Sequence, residues 1–213
     1  MDSDSSRVRR VAERHALPAH QSRSRETRAR ILAAAEEEFA EKGYDGARLA
    51  DIAERAGYSV GAVYFRFKDK SALFLAIAES FAEEARERLR GVFDTAHALD
   101  AELVVRQFVA GAAWNFRRHK GLFRAIVERG LEQPRAMRPV FALREEFAGA
   151  LESLLKKTGQ RNLPLRVRVM TQMIYGFLLA GVLNPNAPTD IADARTLREL
   201  ADACVAYLRE SGR

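Results

Sequence analysis

The sequence has almost no cysteine: Cys204 is the single one among 213 residues. One thiol excludes an internal disulfide and fits a reducing compartment. Long hydrophobic runs are also missing. The most apolar stretch, 169–183, is only 15 residues long and contains Thr171 and Gln172, which is short and polar for a membrane span and reads as a buried helix. No apolar run of 7–15 residues follows the basic residues near the N-terminus, so no secretory signal is expected. No segment alternates apolar and polar residues at the strand period of two. These absences predict a soluble, cytoplasmic protein built of helices.

Catalytic signatures are missing too. There is no H-E-x-x-H, no phosphate-binding P-loop and no G-x-S-x-G. A helical di-iron protein needs Glu-x-x-His pairs, yet Ala12, Leu17, Asp94 and Phe116 stand three residues before His15, His20, His97 and His119. No enzyme activity, metal or cofactor is expected. Charge points only loosely to an anionic partner. The chain has 35 Lys and Arg against 29 Asp and Glu, a net +6, but residues 1–90 hold 17 basic and 16 acidic side chains. The excess lies in the C-terminal part, and net charge is a statement about attraction rather than fold.

What is present is helical periodicity that hardly stops. Residues 1–23 carry Arg7, Arg9, Arg10, Arg14 and Arg23 without a sustained apolar face and read as a flexible basic arm. Ile31, Leu32, Ala35, Phe39 and Ala40 form one stripe of a helix over about 26–42, ended by Gly43. Short helices follow over about 49–56 and 60–65. Asp69 can cap a fourth helix, whose apolar positions Leu73, Phe74, Ile77, Ala78 and Phe81 repeat at helical spacing to about residue 92. Further helices are predicted at about 101–118, 121–132, 137–157, 165–183 and 190–210. The count is about nine. The expected domains are the arm, a helix-turn-helix domain over 24–70 and a helical domain over 71–213, with the fourth helix as the bridge.

The informative stretch is LADIAERAGYSVGAVYFRFKDK, from Leu49 to Lys70. Two short helices that cross steeply need a small residue at the crossing, supplied by Ala53. The turn needs a residue tolerant of positive φ, supplied by Gly57. Ser59 can accept from the N–H groups that open the next helix. Ile52, Ala56 and Val63 make an inner face, leaving Val60, Gly61, Ala62, Phe65 and Arg66 outward. Small residues there let such a helix sit deep in the major groove of DNA.

These residues resemble the TetR (tetracycline-repressor-like) family of bacterial regulators over about residues 27–81. TRARILAAAEEEFAEKGYDG is similar to the family's first helix and turn, and LADIAERAGYSVGAVYFRFKDKSALF to its next three helices. Ser59, Gly61, Val63, Tyr64, Phe67, Lys70 and Leu73 fall on its recurring positions. The resemblance implies that Tyr64 and Lys70 contact phosphates while Val60, Ala62 and Phe65 face bases. Ala47 and Arg48 replace the usual hydroxyl cap, so Arg48 is itself a candidate phosphate contact, and Arg66 stands where His or Tyr is usual. The expected function is that of a repressor of transcription bound as a homodimer to a palindromic operator in double-stranded DNA, nucleoid-associated when so bound, and released by a small, largely apolar effector. The main alternatives are a helical enzyme and an adaptor or ligand-binding protein that kept the fold without the DNA contact.

The family also implies a C-terminal dimerisation domain. The helix over 165–183 is apolar on nearly every face, with Gly176 and Ala180 leaving a flat strip for close helix approach. Leu197, Ala201, Cys204, Val205 and Leu208 form a stripe on the last helix. Two such helices per subunit predict a four-helix interface about a two-fold axis. Sparse polar residues among aromatics and methionines suggest an effector pocket lined by Gln107, Trp114, Asn115, Phe123, Met137, Phe141, Met170, Met173, Tyr175 and Phe177.

Overall fold

A computed structural model describes the backbone of residues 3–95, 101–156, 162–184 and 186–209, with side chains from residue 22 to 94 and throughout the later segments. Nine helices and no strand occur among the described residues. They are α1 (Ser3–Gly46), α2 (Leu49–Ala56), α3 (Val60–Arg66), α4 (Lys70–Thr95), α5 (Ala101–Arg118), α6 (Lys120–Arg129), α7 (Pro134–Leu155), α8 (Leu163–Leu183) and α9 (Ala194–Arg209). The fold is all-α, as the periodicity predicts.

The backbone of the expected arm is helical from Ser3 and runs on into α1. Ala, Arg and Glu favour helix even where there is no apolar face to bury. The side chains of residues 1–21 lie outside the described residues. The regular path of α1 ends at Gly43, whose φ of 74° and ψ of 170° leave the helix before one last turn to Gly46. Pro134 opens α7 as its first residue rather than breaking a helix, a position where its missing N–H costs nothing.

Helices α1 to α3 form the head, and α4 carries the chain from it into the body made by α5 to α9. Asp69 Oδ1 accepts from Ala72 N at 2.8 Å, which is the N-terminal cap of α4. One continuous apolar core joins the parts, from Ile31, Phe39 and Ile52 in the head through Phe74 and Phe81 to Leu151, Ile174 and Cys204 in the body. Helix α6 lies against α1 so closely that a Cβ on Gly121 would stand 1.9 Å from the Glu36 carbonyl oxygen. Gly121, the first residue of the helix expected over about 121–132, is the second residue of α6. It sits inside α6, where it permits backbone-to-backbone contact between head and body.

Candidate nucleic-acid interface and the cavity behind it

The turn between α2 and α3 is built as the sequence requires. Gly57 takes the left-handed conformation, φ 74° and ψ 33°, which costs a glycine little. Ser59 Oγ accepts from Ala62 N at 3.2 Å and caps α3. Ile52, Ala53 and Val63 are fully buried, so α2 and α3 are held by their inner faces. Polar ties lock the same unit. Arg55 bonds Glu37 at 3.2 Å and Glu41 at 2.6 Å, and it pairs with the buried Glu38 at 2.8 Å. Lys42 joins Glu38 and Asp51, both at 2.8 Å. The Arg55 guanidinium beside Glu41 and the Lys42 ammonium beside Asp51 hold those two carboxyls below their ordinary range.

What α3 leaves outside is a bare apolar and aromatic surface. Phe65 is 87% exposed, Tyr64 55% and Val60 40%, with Gly61 open and Ala62 half-covered. An aromatic side chain exposed to that degree makes no contribution to the protein's own core. Arg48, at the N-terminal cap of α2, is exposed and makes no capping bond. Arg66 is half-buried and folds back on the Ala62 carbonyl at 3.4 Å.

Lys70 departs from its expected role. Its Nζ donates to the carbonyls of Tyr44 at 2.5 Å, Ala47 at 3.0 Å and Asp45 at 3.2 Å, and lies 4.7 Å from the centre of the Tyr44 ring. An ammonium has three donors, and all three close the turn after α1. Burial lowers its pKa from the ordinary lysine value. Lys70 is thus a brace for the head rather than a free phosphate contact.

The head is fastened to the body through α6. Arg124 donates to the Ala40 carbonyl at 2.8 Å, Glu128 accepts from Tyr44 N at 2.6 Å, and Arg129 pairs with Asp45 at 2.6 Å. His119, which precedes α6, is buried. Its Nδ1 stands 3.0 Å from Glu36 of α1, and its Nε2 is 3.9 Å from Glu84 of α4 with no hydrogen-bond partner.

Next to that joint, between α4 and α5, lies a cavity of about 190 Å³. Its walls are mainly apolar, including Phe81, Leu89, Val104, Phe108 and Phe116. Of the ten residues expected to line a pocket, it gathers Gln107, Trp114, Asn115 and Tyr175. The other six are corrections. Phe123, Met137 and Met170 are buried core, Phe141 and Met173 face outward at 51% and 44% exposure, and Phe177 lies in a separate groove against the start of α9. Helical spacing gives each residue's angle on its own helix, not which neighbour covers it. Burial pushes the Tyr175 hydroxyl, on a residue that lines the cavity, up to about 12. Arg88 of α4 stands at the mouth, a residue that no pattern in the sequence singles out. Its guanidinium lies 3.9 Å from the Trp114 ring centre, it donates to Asn115 Oδ1, and it approaches Glu84 at 3.4 Å.

The expected dimer surface also changes. Ala201, Cys204, Val205 and Leu208 are buried, and Leu197 is half-buried against the same core, so the stripe on α9 packs within the subunit. The uncovered apolar face belongs to α8. Leu165 is 62% exposed there, and Met173, Gly176 and Ala180 are open beside it. Helix α8 is long and apolar enough to cross a membrane by length and composition, but its buried side packs on α5, α6, α7 and α9.

Residues 31–77 match the family described as bacterial regulatory proteins, tetR family. The HTH-type transcriptional regulator TtgR of Pseudomonas putida is 45% identical to this chain over 60 residues, covering 28% of the chain and 29% of TtgR. The match thus spans less than a third of that relative's own length. The likeness in fold extends beyond residues 31–77. A TetR-family transcriptional regulator from Mesorhizobium loti superposes with a TM-score of 0.70 at 22% identity, over 87% of this chain and 96% of that one. FadR from Bacillus subtilis, solved in complex with stearoyl-CoA, superposes with a TM-score of 0.62 at 19% identity, over 85% of this chain and 99% of that one.

Proposed function

We propose that this chain is a cytoplasmic, homodimeric repressor of transcription that holds a palindromic operator through α3 and leaves it when a small, largely apolar effector fills the cavity between α4 and α5. The exposure of Phe65 beside Val60 and Tyr64, on a helix whose inner face is locked, carries the reading. Apolar contact with a thymine methyl is one way such side chains read a major groove. The uncovered face of α8 suits a second copy packed about a two-fold axis. Two copies of α3 would then enter successive major grooves about 34–36 Å apart. The effector acts by binding the non-operator arrangement more tightly than the operator-bound one. That a protein of this fold is known with stearoyl-CoA bound supports a ligand-responsive body.

The test is binding to the DNA upstream of the chain's own gene, titrated against salt. Specific binding should fall steeply with salt. Phe65→Ala should weaken it by about 1–3 kcal/mol per half-site, with thermal stability unchanged. Equal binding by Phe65→Ala and the parent would refute the role given to α3.

A further inference from the structure

Among the described residues that line the cavity one is charged, and its sign is positive. No carboxylate lines it among the described residues, so an amine would meet a like charge at the mouth. A purely apolar occupant would leave Arg88 as it is now, half-exposed over Trp114. The present partners of that guanidinium are a neutral amide oxygen on Asn115 and a carboxylate at 3.4 Å on its own helix, and exposed pairs of the second kind are weak. A planar guanidinium binds a carboxylate through two parallel N–H donors, a stronger arrangement than either. At about 190 Å³ the space exceeds the roughly 150 Å³ that accepts benzene in an engineered protein cavity. Five of the lining residues are aromatic, Phe81, Phe108, Trp114, Phe116 and Tyr175, and Phe108 and Phe116 are held by stacking on Phe147 and Phe123.

From these features we infer that the occupant is a small aromatic monocarboxylate, its ring among Phe108, Phe116 and Tyr175 and its carboxylate on Arg88. The inference rests on the effector-cavity reading and names the ligand class. It also gives the charge a route to the head. A carboxylate on Arg88 displaces Glu84, whose other neighbours are the Ser80 hydroxyl at 3.5 Å and the unpartnered Nε2 of His119 at 3.9 Å. The opposite nitrogen of that ring holds Glu36 of α1. The effector's charge therefore reaches α1 through groups already in place.

Trp114 is the single tryptophan of the chain and sits at the mouth, so its fluorescence reports occupancy directly. The probes are 3-phenylpropanoate and its neutral counterpart 3-phenylpropanamide, titrated by fluorescence and by calorimetry into the full-length protein. The acid should bind about tenfold or more tighter than the amide. Arg88→Gln should bring the two within about threefold, and Arg88→Lys should restore part of the preference. Equal affinity for acid and amide in the parent, or an undiminished preference in Arg88→Gln, overturns the carboxylate assignment while leaving the cavity as an effector site. Binding of neither probe at millimolar concentration overturns the effector-cavity reading itself. In Glu84→Gln the acid should bind at least as tightly as in the parent but no longer lower DNA affinity. If it still lowers it by the same factor, the route through Glu84 is wrong and the Arg88 site stands.

Discussion

The head and the body are built on opposite terms. In the head the inner faces of α2 and α3 are sealed, Arg55 and Lys42 are tied to carboxylates, and one short surface is left bare. In the body the apolar residues outnumber the places to hide them, and the surplus appears as a cavity behind Arg88 and an open face on α8. Likeness to known proteins divides the chain similarly: the family match lies at 31–77, whereas the likeness that reaches the body is one of fold, at 22% identity over 87% of the chain. A surface that meets DNA meets one polymer of fixed groove and phosphate spacing. A cavity can be reshaped by any wall residue without changing the helices that carry it.

The joint between the two regions should be the most sensitive place. Gly121→Ala puts a methyl group onto the Glu36 carbonyl, and relieving the clash means prising α6 from α1. A loss of about 3 kcal/mol is expected in urea unfolding, at the upper end for overpacking. Gly176→Ala has open space on all sides and should leave the subunit as stable as the parent.

The head can be divided further by pairing Lys70 with Arg48. Lys70→Met strands three carbonyls and should cost about 1–3 kcal/mol of stability, while the slope of DNA affinity against salt stays the same. Arg48→Ala should leave stability within about 0.5 kcal/mol and lower that slope by about two per dimer, because each subunit then neutralises one phosphate fewer. The reverse pattern would return Lys70 to the phosphates and make Arg48 a bystander.

The body's surplus is tested on α8. Gly176→Leu should shift the protein from dimer toward monomer in sedimentation, because a bulky side chain would stand where two α8 helices approach. A dimer of undiminished affinity would move the interface elsewhere. The smallest effect is chemical. Burial pushes the Cys204 thiol up to about 11, so it should resist iodoacetamide at pH 8 while folded and react once urea opens the core. Reaction in the folded state would show that α9 leaves the core readily.

Much of this was legible in the residues, and the failures share a cause. The bounds of α2 and the start of α3, the left-handed Gly57, the Ser59 cap and the Asp69 cap all follow from interactions within four residues. Lys70 misled because its partners are 23 to 26 residues away in sequence. Cys204 and its stripe misled because an apolar face looks the same whether a neighbouring helix or a second subunit covers it. Arg88 carries no mark in the sequence because it follows Glu84 at the spacing of an ordinary surface ion pair on one helix.

The sequence by itself determined helices α2 to α9 to within a few residues, the caps at Gly57, Ser59 and Asp69 and the outward face of α3, since each is settled by local hydrogen bonds, backbone freedom and the 3.6-residue repeat. Tertiary structure alone decided that Gly121 joins head to body, that Lys70 braces the turn and that Arg88 guards a cavity. Those roles depend on which distant helices meet, and the packing of the whole core is what brings them together.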